Sequence, residues 1–217
     1  MSFERHITPH LESWKANKDR KPLILRGARQ VGKTTLVKQF SKTYKHKIQL
    51  NLELPSDIRY FTEYEDVPTI TEALFIANNI PNSDKSDTLL FIDEIQESPK
   101  AIALLRYFYE MEPELHVIAA GSLLEHAIRK VKSFPVGRVQ MLHLYPINFL
   151  EYLKASGQTS PLEQINQIPV KPVAQQILLD LFNRYAIIGG MPEVIKKYIE
   201  TKSVADLSPI YESIWGT

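Results

Sequence analysis

The chain has 217 residues, 44% of them hydrophobic and 24% charged, and Lys+Arg 26 against Asp+Glu 25 leaves a net charge of +1. That length suffices for a real core, but no overall positive charge exists to hold nucleic acid or acidic lipid. Cysteine is absent, which excludes disulfides, thiolate metal sites and cysteine nucleophiles.

Residues 4–17 set Ile7, Leu11 and Trp14 at helical spacing among charges, which predicts an amphipathic N-terminal helix. The charged start MSFERHITPHLESWK has no apolar secretory core. Apolar runs such as Leu89–Ile92 fall far short of the roughly 20 residues of a membrane span. A cytoplasmic globular protein is expected.

Pro22–Arg26 is a short apolar run, followed by a glycine loop and a helical stretch from Lys33 to about Lys42. His46–Glu53 alternates, with Ile48, Leu50 and Leu52 on one face, as a strand near a sheet edge does. Residues 55–80 read as helical. Thr88–Asp93 is a continuous apolar run, the pattern of a central parallel strand buried on both faces. Pro99 opens a helix to about Met111, Leu115–Ala120 repeats the buried-strand pattern, and Arg138–Tyr145 is the last strand candidate. Strands alternating with helices predict a three-layer α/β domain on a parallel sheet. Beyond Tyr145-Pro146 the strand signal stops. Ile147–Ser156, Pro172–Ile188 and Pro192–Ile214 carry helical periodicity, with a polar stretch at 157–172 between the first two. The expected division is an α/β domain with its N-terminal helix over 1–146 and a helical, lid-like subdomain over 147–217.

The strongest motif is Gly27-Ala28-Arg29-Gln30-Val31-Gly32-Lys33-Thr34-Thr35, a match to G-x-x-x-x-G-K-[ST] between an apolar strand and a helix. Its two glycines let the backbone curl so that successive N–H groups face phosphate oxygens, and the new helix adds its positive end. Lys33 then reaches the β- and γ-phosphates of ATP, and the Thr34 hydroxyl is a Mg²⁺ ligand. A glycine turn between strand and helix is the bland alternative. The run Leu89–Asp93 followed by Glu94 has the Walker B pattern, with Asp93 on the metal side. Glu94, one residue on, is placed to polarise a water for in-line attack on the γ-phosphate. A strand-end acid pair facing solvent is its alternative.

Other positions are weaker. Asn51 lies on the polar face of the alternating strand and reaches Glu94 only if that strand neighbours the one ending at Asp93. Ser122 is placed either to sense the γ-phosphate or to cap a helix. Arg138, in a segment with Arg129, Lys130 and Lys132, either stabilises transition-state charge in a neighbouring subunit, reads the nucleotide in its own, or belongs to a solvated basic face. The six histidines share no metal-ligand spacing.

With these segments placed, the chain resembles the prokaryotic AAA-type ATPases that join an N-terminal P-loop module to a C-terminal domain of unknown function. PLILRGARQVGKTTL (22–36), LNLE (50–53), LLFIDEIQ (89–96), GS (121–122), GR (137–138), LYPINFLEYL (144–153) and GGMPEVI (189–195) carry the likeness. The resemblance implies a sheet in AAA order and hydrolysis driven by Glu94, with Asn51 as its switch partner and Ser122 in the sensor position. Ala120 stands where relatives often have threonine, and relatives continue beyond Thr217, so an N-terminal piece is expected.

The leading expectation is a Mg²⁺-dependent ATPase that couples ATP hydrolysis to a conformational change. Its expected partners are ATP, further copies of itself and an unidentified macromolecular client. DNA rests on residues 129–138 alone. A slow nucleotide-gated interaction module shares the same site. A small-molecule P-loop kinase needs an arginine-rich lid, and 147–217 holds only Arg184.

Overall fold

Five short apolar segments pair as β1 (Leu23–Arg26), β2 (His46–Asn51), β3 (Thr88–Asp93), β4 (His116–Gly121) and β5 (Gln140–His143). All pairings are parallel, and the spatial order is β2-β3-β4-β1-β5. The computed structural model describes residues 3–122, 124, 127, 137–165 and 167–216. β3 and β4 are buried at every position and lie inside the sheet, whereas β2 alternates and forms one edge. The hydropathy patterns follow these places, because a strand covered on both faces has no polar side.

The sheet belongs to a unit running from Pro9 to Leu144. On one face Ile24, Ile48, Leu90, Ile92 and Val117 pack with α3 (Pro55–Glu63), α4 (Val67–Ala77) and α5 (Pro99–Met111). Alternate strand residues, among them Leu23, Leu25, Leu89 and Ile118, are buried on the other face. α1 (Thr8–Ala16) and α2 (Lys33–Phe40) complete the helices placed before β2. Trp14 of α1 meets Phe40 of α2 and His116 of β4. The second unit holds the described residues before Pro9 and those from Tyr145 onward. It comprises α6 (Phe149–Ala155), α7 (Thr159–Ile165), α8 (Pro172–Ile188), α9 (Pro192–Thr201) and α10 (Ser208–Trp215). Arg5 and Glu151 are paired and buried within it, and Glu151 also accepts from the backbone N–H of His6 and of Asn148.

Several boundaries differ from expectation for local reasons. The 55–80 stretch is two helices, because Asp66 accepts from Thr69 N and starts α4 anew. The polar 157–172 stretch contains α7. The last helical run breaks where Lys202 takes a left-handed conformation (φ 57). The final strand begins at Gln140, leaving Arg138 in the turn before it. Among the described residues, no helix is long and apolar enough to cross a membrane.

The core also predicts a pH dependence. His116 is 5% exposed, its Nδ1 lies 2.7 Å from the Tyr44 hydroxyl, and burial, helped by Arg20 and Lys15, pushes its pKa down to about 3. The unfolded chain takes up that proton below about pH 6.5, whereas the fold resists it to far lower pH. Stability is therefore complete near neutrality and falls as pH drops from about 6.5. Between about pH 7 and pH 5 the loss is on the order of 2 kcal/mol. Denaturant midpoints at the two pH values should fall less in His116→Phe than in the parent. Equal falls would remove His116 as the cause.

Candidate functional site

Parallel strands bring their carboxyl ends to one edge, and the singled-out residues collect there. Arg26, the last residue of β1, is level with Gly121 of β4, and Asn51 of β2 with Asp93 of β3. The loop after β1, the Asp93-Glu94 pair, Gly121-Ser122 and Asn51 therefore share one rim.

At this rim Gly27 packs so closely that a Cβ there would strike the Leu144 carbonyl oxygen, so only glycine fits. Gln30 (φ 62) and Gly32 (φ 93) turn the loop through left-handed conformations before α2 begins at Lys33. Val31 is fully buried and anchors the loop, while Ala28, Arg29, Gln30 and Thr35 are exposed. Lys33 is 6% exposed and donates through Nζ to the carbonyls of Gly27 (3.0 Å) and Ala28 (2.8 Å). Burial lowers its pKa, and the nearby carboxylates of Glu94 and Asp93 oppose that shift. The lysine thus reaches back over the loop whose backbone would cradle a phosphate.

Thr34 donates through Oγ1 to Asp93 Oδ2 at 2.7 Å, joining the loop to the end of β3. Burial raises the Asp93 pKa, and the Thr34 hydroxyl acts against the rise. Two adjacent oxygen donors fit a hard cation such as Mg²⁺, which is commonly held by one or two protein oxygens with substrate phosphates and water. Among the described residues no group of three or more His, Asp or Glu side chains forms a self-sufficient metal cage. The donor set suits a cation that arrives with its phosphate.

Glu94 is half-buried and left-handed (φ 51), a costly backbone for a non-glycine residue that swings the chain off the strand end. Its Oε2 accepts from Gln96 Nε2 at 2.6 Å. Gln96 is the residue that motif reading left without a role. Its signals were its place in the LLFIDEIQ segment and two residues beyond Glu94, and neither names a role until the turn is known.

Ser122 sits at the same rim with its Oγ buried and unpaired, so the hydroxyl makes no cap bond. Asn51 is in register with Asp93, as the switch role needs, but its Oδ1 accepts from Glu53 N (3.1 Å). Its side chain is thus engaged in a local turn. Arg138 lies elsewhere. Gln140 is level with Leu23 at the start of β1, so Arg138 stands about 10 Å or more along the strand direction from its own phosphate loop. Its Nε donates to Glu110 Oε1 at 3.2 Å. A residue preceding a parallel strand lies at the opposite edge from a residue following one, so Arg138 is not brought to the rim that carries the loop. Arg129, Lys130 and Lys132 lie outside the described residues.

A family model described as an AAA domain matches residues 19–153. No curated protein matches the chain. Among solved structures it is similar to the Walker-type ATPase PABY2304 of Pyrococcus abyssi, at 19% identity and TM-score 0.54 over 93% of this chain and 69% of that one. It is also similar to PCH-2 of C. elegans, at 12% identity and TM-score 0.50 over 90% of this chain and 62% of that one. Identities this low speak for the fold alone.

Proposed function

Because the chain belongs to the AAA domain family, we propose that it binds ATP with Mg²⁺ and hydrolyses it to ADP and phosphate, coupling turnover to a conformational change that acts on a macromolecular client. The observation that carries this reading is the Thr34–Asp93 hydrogen bond, which joins the phosphate loop to the strand-end acid with Glu94 next in line. In this reading Gly27–Thr35 wraps the phosphates, and Lys33 sets its ammonium against them. Thr34 and Asp93 hold the cation, which when bound offsets charge on the β- and γ-phosphates. Glu94 takes a proton from the attacking water as the water oxygen bonds to the γ-phosphorus and the bond to the leaving oxygen breaks. Ser122 offers an unspent hydroxyl beside this centre. Phosphate release from ATP, with and without Mg²⁺, tests the proposal. Tight binding without turnover would instead favour the gated interaction module.

Arg138 enters as a residue that acts on a neighbouring copy. A guanidinium stays charged and can grip phosphate oxygens in pairs, and its place at the far edge leaves it available to another subunit. Arg138→Ala is expected to bind ATP nearly as the parent does and to hydrolyse it roughly tenfold or more slowly. Mixing it with Lys33→Ala should restore part of the turnover, and specific activity should rise with protein concentration. A parental rate in Arg138→Ala, or no rescue on mixing, would return this residue to the Glu110 ion pair alone.

A further inference from the structure

We propose that Gln96 is the positioning residue of Glu94, holding the carboxylate through its amide N–H while the other end of the amide lies in the space that Gly121 leaves at the end of β4; the inference rests on the reading of Glu94 as the base. Gln96 lies in the single helical turn Ile95–Glu97 that follows Glu94. Ile95, fully buried, anchors that turn in the core, so Gln96 is presented from rigid backbone. Its Nε2 donates to Glu94 Oε2 at 2.6 Å. Its Oε1 is buried without a hydrogen-bond partner. A buried acceptor left unpaired is uncommon and calls for a reason.

The end of β4 accounts for the burial. A Cβ on Gly121 would collide with Gln96 Oε1, so the amide occupies the space that glycine leaves open. Gln96 therefore reaches from the candidate base to the strand end that carries Ser122, whose hydroxyl is likewise buried and unpaired. The amide can donate but cannot accept the water's proton at Nε2, so it steers Glu94 without competing for the proton. Glu94 needs such steering because a glutamate has several rotatable bonds, and a base misplaced by about 1 Å can lose on the order of a hundredfold in rate. Oε1 can accept from a water, and the Ser122 hydroxyl can donate to a water or a phosphate oxygen.

The test is steady-state ATP hydrolysis by Gln96→Met, Gln96→Glu, Gly121→Ala, Glu94→Gln and the Glu94→Gln/Gln96→Met double variant, with ATP affinity measured for each. Gln96→Met keeps the packing and loses the donor, and should lower kcat about 10- to 100-fold with KM and ATP affinity within about twofold of the parent. Gln96→Glu preserves the shape and sets a like charge against Glu94, so it should be slow as well and serves if the methionine variant does not fold. Gly121→Ala crowds the amide, and Leu124 beside it, and should lower kcat as well. The double variant should be no slower than Glu94→Gln alone, because a residue that acts through Glu94 has nothing left to position. A slow Glu94→Gln beside a Gln96→Met at the parental rate overturns the positioning role alone, as do losses that multiply in the double variant. A parental rate in Glu94→Gln overturns the base and the positioning role together.

Discussion

Glu94→Gln is expected to hold ATP at least as tightly as the parent and to hydrolyse it about a hundredfold or more slowly. The two effects separate because different groups produce them. Binding is assigned to the loop backbone, Lys33 and the Thr34–Asp93 pair, and the substitution touches none of these. Turnover needs a group that removes a proton from water, and a carboxamide cannot do so. The replacement is close in shape, and the left-handed backbone at residue 94 is set by the strand end and the turn that follows. One negative charge near Lys33 also disappears, which can only favour a polyanionic ligand. Calorimetric titration with ATP and single-turnover phosphate release measure the two quantities independently. Unchanged phosphate release would take the base role from Glu94 and give weight to a slow nucleotide-gated switch.

Lys33→Ala is expected to act on the other quantity, weakening ATP binding by about 2–4 kcal/mol, or roughly 30- to 1000-fold. The lysine is buried at the first position of α2, and its ammonium ties the Gly27 and Ala28 carbonyls together. Removing it takes away the buried cation of the loop and leaves phosphate charge to backbone dipoles and the exposed Arg29. Alanine is a good helix former, so α2 should persist. Loss of the two carbonyl contacts should cost about 1–3 kcal/mol of stability each, offset in part by no longer burying an ammonium. Far-ultraviolet circular dichroism should therefore be unchanged while the titration flattens. Parental affinity in this variant would remove the phosphate loop from the site.

Much of this site was legible because its signals are local. Gly27, Gly32, Lys33 and Thr34 fall within eight residues of one another, and the spacing itself encodes the turn from strand to helix. Asp93 and Glu94 end a run whose continuous hydrophobicity is the mark of a strand without a polar face. β2 was readable as an edge strand for the converse reason, since its alternation matches burial on one face only. Gln96 was unreadable as a functional residue, because its role depends on a left-handed turn at Glu94 and on the missing side chain at Gly121.

The strands, the phosphate loop and the acid pair could be read from the chain alone, since each has its cause within a few neighbouring residues. Tertiary structure alone decided which of the more distant residues can act there. Pairing of β2 with β3 brought Asn51 level with Asp93, yet a local hydrogen bond to Glu53 N took its side chain. Pairing of β5 with β1 set Arg138 at the edge away from the loop, where Glu110 receives it. The described residues before Pro9 joined the unit that begins at Tyr145, through an ion pair between Arg5 and Glu151 that spans most of the chain. Each of these outcomes depends on register or on a partner far away in sequence. Periodicity reports which face of an element is buried, and it carries no information about what lies opposite.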